Sequence, residues 1–458
     1  MEFHAQMMPT HSSPANSSPV DSPHTPASAA SLCDILIIGG GPGGSTAAIL
    51  LAGKGYRVVV LEKAHHPRFH IGESLLPANL PLLERLGVAE KVRAIGMEKW
   101  GAEFNSHWDG RCQEFQFANA WDKSMPLSYQ VRRSEFDEIL IRRAAAEGAE
   151  VIEGCRVRDV ELRRDGVRVY AVHDDGREQT WEAAQLIDAS GRDTFMGNRL
   201  GTKRRNTKHT SAAMFAHFTG ARRECGKREG NISIYWFDHG WFWFIPLADG
   251  TTSVGAVVWP QYLKTRSIPV HDFFLATIAQ CPPLAERLAN ARMTTEVEAT
   301  GNYSYVCERS YGKHFLMIGD AYTFIDPVFS SGVMMAMTGA AAAAETVAVC
   351  LTNPARKAGA LRKFDRLMRH GPREFSWFIY RVTNPTMREA FLEPRNVLRM
   401  EEALLSLLAG DIYGRTPIWT SLRLFKMLYY LISLANLRRT LRALRNRVAN
   451  IREPMISG

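Results

Sequence analysis

The stretch that most constrains the fold runs from residue 34 to residue 63 and reads DILIIGGGPGGSTAAILLAGKGYRVVVLEK. An apolar, β-branched run leads into a glycine-rich turn, and an apolar segment of helical length follows. A second, valine-rich run then ends at an acidic residue. This order predicts a strand, a helix and a parallel strand, the unit that opens a doubly wound α/β fold.

The glycines of this stretch have the spacing of a dinucleotide-binding fingerprint. Gly39 is expected to form the tight turn, Gly41 to let a pyrophosphate approach the backbone, and Gly44 to let the helix lie close to the strand. The unpaired N–H groups at the helix N-terminus favour the pyrophosphate, and Glu62 is placed to accept hydrogen bonds from ribose hydroxyls. The chain carries no second fingerprint of this kind. We therefore expect one bound dinucleotide, and any nicotinamide must bind otherwise or act on a different protein.

Three further segments carry candidate ligand residues. The loop RFHIGESLLP, which contains Arg68, Glu73 and Ser74, either returns to the dinucleotide or is a polar surface loop. The strand in LIDASGR ends at Asp188, and the small residues after it let a backbone approach a ligand. Arg132 and Arg133 stand near the start of a predicted helix that ends just before Gly148.

The run Trp-Phe-Trp-Phe-Ile-Pro, residues 241–246, predicts a strand that is buried on both faces. Trp241, Trp243 and Ile245 point to one side and the two phenylalanines to the other, with residues 251–259 as the expected neighbouring strand. Two interpretations are open. The strand either fills a core, or its two indoles form a wall between two reacting groups.

Lys99 precedes an alternating strand that begins near Ala102. A lysine at the start of a strand is usually a solvated charge, and we expect it to contribute little to core packing. Composition alone therefore assigns this residue no role.

Farther along, a strand at residues 315–318 ends in Gly319-Asp320, and a loop leads to an alanine-rich helix predicted from Val333 to about Leu351. The N–H groups of Ser331 and Gly332 then lie at a helix N-terminus, where they favour an anion or an electron-rich ring edge. The alternative is that Ser330 is simply the N-cap of this helix.

Composition sets the remaining bounds. The 458 residues carry a formal charge of +9 and seven scattered cysteines, which favours a reducing compartment and argues against a structural zinc site. No export signal is visible, residues 1–31 are expected to be disordered, and no apolar run suggests a spanning helix. The chain beyond residue 355 is predicted to be helical with a basic amphipathic end. That end either packs on the body or docks on a membrane surface or a partner.

Taken together, these motifs resemble the flavin-dependent halogenases, a branch of the FAD-dependent monooxygenase superfamily. Residues 241–246 match the family's WxWxIP motif, Lys99 matches its lysine, and residues 324–332 match the FxxPxxSxG pattern of members acting on phenols, pyrroles and carrier-bound substrates. Phe329 stands where tryptophan halogenases carry a glutamate, so free tryptophan is not the expected substrate.

The resemblance implies an α/β fold: a Rossmann-like FAD-binding domain over residues 32–355, an interleaved, mainly antiparallel substrate sheet (about 98–130 and 205–310), and a helical region over 356–458. It implies that reduced FAD, oxygen and chloride or bromide halogenate an electron-rich aromatic or carrier-tethered substrate. Lys99 would receive the oxidised halide, and Trp241 and Trp243 would keep the substrate from the flavin. The halide would bind at Ser331 and Gly332. The expected FAD-binding residues are Gly39, Gly41, Gly43, Gly44, Glu62, Lys63, Arg68, Ser74, Arg132, Asp188, Gly319, Asp320, Gly332 and Val333.

The expected partners are a flavin reductase that supplies FADH2, a small aromatic substrate and a carrier protein if the substrate is tethered. No metal and no nucleic acid is expected, and the compartment is the cytoplasm. Two other functions stay open at this stage: an FAD-dependent hydroxylase or isoprenoid-type reductase, and an inactive flavin-binding partner in a biosynthetic assembly.

Overall fold

The computed structural model describes residues 30–301, 304–394, 396–414 and 416–452. Residues 1–29 of the predicted disordered tail lie outside the described residues. Ser31, which was expected to belong to that tail, is already part of the first strand. The strands are β1 (Ser31–Ile38), β2 (Val58–Leu61), β3 (Met97–Lys99), β4 (Gly101–Ser106), β5 (Cys112–Gln116), β6 (Ser128–Gln130), β7 (Glu150–Ile152), β8 (Cys155–Leu162), β9 (Val167–His173), β10 (Glu178–Asp188), β11 (Lys203–Arg205), β12 (Ala212–Thr219), β13 (Ile232–Phe237), β14 (Gly240–Pro246), β15 (Thr251–Val258), β16 (Arg292–Met293), β17 (Glu298–Thr300), β18 (Tyr305–Cys307), β19 (Phe315–Met317) and β20 (Thr323–Phe324). The α-helices are α1 (Pro42–Ala52), α2 (Leu80–Arg85), α3 (Ala89–Ile95), α4 (Arg133–Ala146), α5 (Phe195–Arg199), α6 (Pro260–Lys264), α7 (Val270–Ala279), α8 (Pro282–Arg287), α9 (Gly332–Thr352), α10 (Pro354–Ile379), α11 (Pro385–Leu392), α12 (Met400–Ala409), α13 (Trp419–Ala435) and α14 (Leu437–Arg452).

The first sheet is built around the predicted βαβ unit. β1 lies between β2 and β10 and is parallel to both, with Ile35 opposite Val58 in one ladder. β7 and β19 extend the parallel part, while β9 pairs antiparallel with β10 and β8 pairs antiparallel with β9. The ends of parallel strands therefore meet at one edge, where a dinucleotide is held in folds of this kind.

The second sheet has eight strands, and β14, the tryptophan strand, lies in its interior between β13 and β15. All ladders are antiparallel except the one between β13 and β4. Every residue of β14 is buried. Trp241, Trp243 and Ile245 share one apolar cluster with the C-terminal helices, and Phe242 and Phe244 share another with α7 and α8. The prediction of a strand buried on both faces is confirmed.

The alanine-rich helix α9 packs against α1 and α10, and it contributes residues both to the apolar cluster of the first sheet and to that of the two tryptophans. Among the described helices it is the one long and apolar enough to cross a membrane by length and composition. No spanning helix was expected from the sequence here, because Thr338, Glu345 and Thr346 interrupt the apolar stretch. More than half of the most apolar part of α9 is buried against the rest of the protein, as expected for a core helix. The expected fold, an α/β dinucleotide-binding body with an interleaved antiparallel sheet and a helical C-terminal region, is confirmed.

Candidate active site

A cavity of about 590 Å³ opens at the carboxyl ends of β1, β2 and β10. It runs from the glycine turn to the tryptophan strand and to the loop before α9. Most of the predicted site residues line it: Gly39, Gly41, Gly43, Glu62, Lys63, Arg68, Ser74, Trp241, Trp243, Gly319, Asp320, Ser331, Gly332 and Val333. The predicted residues outside its lining are Gly44, Lys99, Arg132 and Asp188.

The glycine turn has the geometry that a dinucleotide needs. Gly39 has φ +96°, and a Cβ on Gly44 would lie 1.9 Å from the Gly39 carbonyl oxygen. Gly44 therefore acts by close packing of helix on turn rather than by lining the cavity. A Cβ on Gly41 would meet only the Arg68 guanidinium, at 3.6 Å, so the space beside Gly41 is free for a ligand. Gly41 is also the N-cap of α1, whose first turn has no acidic residue and no side-chain cap. These residues fit the pyrophosphate of an FAD.

Glu62 is buried at the end of β2, where both carboxylate oxygens are held by the backbone. One accepts a hydrogen bond from the Gly40 N–H at 2.6 Å and the other from the Ala64 N–H at 2.9 Å. Each oxygen keeps a lone pair for a further donor, because a carboxylate oxygen can accept two bonds. Glu62 is thus fixed in orientation and still able to accept from a ribose.

Arg132 points away from the cavity, and its neighbour Arg133 lines it instead. The Arg132 guanidinium donates to Asp249 and Thr251, each at 2.6 Å. Arg133 donates to both carboxylate oxygens of Asp137, at 2.8 and 2.9 Å, and Arg68 reaches the same carboxylate at 3.1 Å. We missed this buried network from the sequence, although the i, i+4 spacing of Arg133 and Asp137 could have revealed it.

Two acidic residues at neighbouring strand ends have different surroundings. Asp188 accepts from the N–H groups of Ser190 and Met196, at 3.0 and 2.7 Å, so it holds the turn after β10 without reaching the cavity. Asp320 lines the cavity, and burial raises the pKa of its carboxyl to about 6 despite the opposing charges of Arg133 and Arg192.

The loop before α9 presents backbone N–H groups to the cavity. Ser331 is the N-cap of α9 and makes no side-chain capping bond, and the first turn has no acidic residue. A Cβ on Gly332 would meet nothing within 4 Å, so the N-terminus of α9 opens directly onto the cavity. Ser330 is not the N-cap; it has the left-handed φ of 55° that non-glycine residues rarely adopt. Such strain is typical of functional loops.

Trp241 and Trp243 form one side of the cavity, with their ring centroids 6.2 Å apart. The Trp243 indole N–H donates to Ser253 Oγ at 3.1 Å, which fixes the ring. A Cβ on Gly255, directly opposite on β15, would lie 2.1 Å from that ring. Gly255, which the sequence argument did not single out, therefore leaves the room that the indole occupies.

Lys99 is 1% exposed, contrary to the expectation of a solvated residue with little packing. Its ammonium donates to Ser74 Oγ at 2.9 Å and to the Leu75 carbonyl at 3.0 Å, and it lies 5.2 Å from the centre of the Phe117 ring. Burial lowers its pKa from 10.5 to about 7, with no contribution from a neighbouring carboxylate among the described residues. Through Ser74 it touches the cavity lining, while Phe117 belongs to the apolar cluster that contains both tryptophans.

Two buried histidine–carboxylate pairs flank this region and were also missed. His217 Nε2 lies 2.7 Å from Glu73, the residue before Ser74, and His209 Nε2 lies 3.0 Å from Asp326. Glu73 and Asp326 both line the cavity. No sequence spacing links these pairs, since each joins segments more than 100 residues apart.

Comparisons with known proteins define the class to which this fold and site belong. A family model described as an FAD binding domain matches residues 32–363. The chain is 37% identical over 345 residues to flavin-dependent halogenase armH3 of Armillaria mellea, covering 69% of this chain and 68% of that protein. It is 30% identical over 406 residues to the 1H-pyrrole-2-carbonyl-(peptidyl-carrier protein) chlorinase of Pseudomonas fluorescens, covering 83% and 90%.

A solved structure, the myxobacterial chondrochloren halogenase CndH, superposes with a TM-score of 0.74 at 32% identity, covering 85% of this chain and 93% of that one. The chain therefore belongs to the flavin-dependent halogenases. It is an FAD-dependent oxidoreductase that uses a halide as cosubstrate.

Proposed function

We propose that this enzyme halogenates an electron-rich aromatic ring, free or tethered to a carrier protein, and that Lys99 carries the oxidised halide to it. The observation that supports the proposal best is the buried Lys99 amine, which has no carboxylate partner among the described residues. With a pKa of about 7, a substantial fraction of this amine is neutral near pH 7, and a neutral amine has the lone pair that an electrophilic halogen needs.

The cavity residues have separable tasks in this proposal. The turn at Gly39 and Gly41, with Glu62, would hold the adenosine and pyrophosphate end of FAD. Reduced FAD supplies the electrons for activating oxygen toward the halide. The N–H groups of Ser331 and Gly332 would bind the halide, since the N-terminus of α9 is open and unopposed by an acidic residue.

Trp241 and Trp243 would separate flavin and substrate. Both rings are buried, and one face of their strand belongs to the cavity while the rings also join the apolar cluster of the C-terminal helices. A substrate on the far side of the indoles cannot touch the flavin, so direct hydroxylation is suppressed. The oxidised halide must then travel past the wall to Lys99.

The proposed substrate class rests on Phe329 and the rings packed around it, which share one apolar cluster with the two tryptophans. Phe329 stacks on Phe391, with ring centroids 6.2 Å apart at 17°, and lies 6.3 Å from the Phe375 ring. Apolar rings at this place suit a flat aromatic ring and offer no carboxylate to the ammonium group of a free amino acid. The names of the pyrrole-carrier relatives support carrier-tethered pyrroles as the first substrates to test, beside the phenols that the FxxPxxSxG pattern suggests.

A separate flavin reductase would supply FADH2, because the chain has one dinucleotide fingerprint and that one is assigned to FAD. A cytoplasmic setting is supported by the seven cysteines, none of which forms a disulfide in the described structure.

The test is a product assay by mass spectrometry with a flavin reductase, chloride or bromide, and a panel of phenols, pyrroles, pyrrolyl-carrier thioesters and tryptophan. We expect halogenated phenol or pyrrole products that require halide, and their loss in Lys99→Met. The matched control is Lys227→Met, an exposed lysine stacked on Trp100, which should behave as wild type. Hydroxylated products without halide dependence would refute the proposal, and halogenated tryptophan alone would refute the substrate class.

A further inference from the structure

The last two described helices expose an unusual amount of apolar surface. Ten of the twenty large hydrophobic residues that are exposed among the described residues lie within residues 427–448. We call these ten the α13–α14 surface: Met427, Leu428, Tyr430, Leu431, Ile432, Leu434, Leu437, Leu441, Leu444 and Val448. Exposed apolar area this concentrated marks an interaction site.

α13 is apolar on both of its sides. Leu422, Phe425 and Tyr429 face inward and are buried in the C-terminal cluster. Met427, Leu431 and Leu434, one helical turn apart from each other, face outward and are 54%, 56% and 68% exposed. A helix that is apolar all round is ordinarily covered on every side. The outward side of α13 is therefore an apolar surface that no other described part of the chain covers.

In α14 the polar residues face the protein and the leucines face outward, which is the reverse of the usual arrangement in a helix packed on a core. Its inward positions include Thr440, Ala443 and Arg447, and the Arg447 guanidinium donates to backbone carbonyls of Tyr380 and Lys208. Its leucines recur at 437, 441 and 444 and point outward. Burying these leucines requires an apolar medium outside the protein.

The charge of the chain is concentrated in the same place. Residues 412–452 contain nine Lys and Arg residues and no Asp or Glu, so they carry a charge equal to the +9 of the whole chain. Arg438, Arg442 and Arg445 follow the polar side of α14 beside the leucine row. A second copy of the chain docked by two-fold symmetry would set these like charges against each other, which disfavours a homodimer here.

We propose that the α13–α14 surface binds in the plane of an anionic lipid membrane, with its leucines among the acyl chains and its arginines at the phosphates. A folded protein partner needs matched shape and a paired polar rim. A bilayer surface needs only an apolar row flanked by cations, which is the arrangement of these two helices. This inference does not depend on the proposed substrate or on the role of Lys99.

The α13–α14 surface also contacts the aromatic residues of the C-terminal cluster. Tyr430 lies 6.1 Å from the ring centre of Trp377, Trp377 lies 4.8 Å from that of Phe378, and Phe378 lies 6.5 Å from that of Phe329. A chain of aromatic contacts thus links the α13–α14 surface to Phe329, in the loop before α9.

The experiment is cosedimentation of the full-length FAD-loaded protein with vesicles of phosphatidylcholine alone or mixed with phosphatidylglycerol. We expect binding to the anionic vesicles that weakens as salt rises. Leu431→Glu/Leu434→Glu and, separately, Arg442→Gln/Arg445→Gln should each weaken binding about tenfold or more. The matched controls Leu275→Glu and Arg266→Gln change exposed residues outside the surface and should bind as wild type.

Retained flavin content shows that each variant is folded. If the leucine double variant loses its flavin, the vesicle binding of the arginine double variant tests the proposal instead. No binding to anionic vesicles, or equal binding by all variants, overturns the proposal. A dimer in light scattering that Leu431→Glu/Leu434→Glu dissociates assigns the surface to a second copy. Binding of an acidic acyl carrier protein through this surface, without vesicle binding, assigns it to that partner; both results overturn the membrane proposal.

Discussion

Replacing Lys99 by methionine tests the central residue with little change of volume. Alanine would leave a cavity at a fully buried position and blur any effect on chemistry with an effect on folding. Methionine fills the space, removes the amine, and leaves Ser74 Oγ and the Leu75 carbonyl without their donor. We expect flavin binding to persist and halogenated product to disappear.

The pKa of Lys99 gives this variant a second, independent signature. In the unfolded chain the amine keeps its ordinary pKa of 10.5, and in the folded protein burial lowers it to about 7. Between these values the unfolded state binds more protons, so the stability of the wild type rises with pH. The folded state bears the cost of the buried charge fully below pH 7, and this cost disappears as the pH approaches 10.5. The two values correspond to about 5 kcal/mol in total, and to about 2 kcal/mol between pH 7 and pH 9.

The measurement is urea unfolding of wild type and Lys99→Met at pH 7, 8 and 9. From pH 7 to pH 9, the difference in the free energy of unfolding between wild type and Lys99→Met should shift by about 2 kcal/mol in favour of the wild type. Lys227→Met, at an exposed position, should differ from wild type by the same small amount at every pH. A constant difference between wild type and Lys99→Met would show that the amine keeps its ordinary pKa, and the argument for a neutral acceptor would fail.

Three further outcomes are expected. Gly41→Ala should leave the free energy of unfolding within about 0.5 kcal/mol of wild type but weaken FAD binding in a fluorescence titration. Gly44→Ala should not fold, because its Cβ would lie 1.9 Å from a carbonyl oxygen. Equal behaviour of the two variants would contradict the roles assigned to these glycines. Gly255→Ala should displace the Trp243 ring and lower the ratio of halogenated product to oxygen consumed, without loss of FAD. An unchanged ratio would argue against the separating role of the two tryptophans. NADH or NADPH alone should not bleach the oxidised flavin band in stopped flow; fast bleaching stimulated by substrate would favour a hydroxylase.

Those parts of the fold that depend on local pattern could be predicted from the sequence. The glycine spacing after β1 and the alternation in β14 each fix their structure within a few residues, because backbone sterics and the two-residue period of a strand act locally. The choice between Arg132 and Arg133 could not be made in this way. Arg132 is the N-cap of α4 with extended ψ of 121°, so its side chain leaves the helix toward Asp249, and only Arg133 has the helical phase that reaches Asp137.

Lys99 shows the limit most clearly, since its burial comes from segments that are distant in sequence. β3 has three residues and pairs only with β6, so nothing in the local pattern distinguishes its last residue from a solvated lysine. The loop at Ser74 and Leu75 covers the amine from one side and Phe117 from another. The fold bears the cost of burying this amine with no carboxylate partner among the described residues. The same burial lowers the pKa of the amine to about 7 and so makes part of it neutral at that pH. The loss of stability at this position and the reactivity that we assign to it therefore have one physical cause.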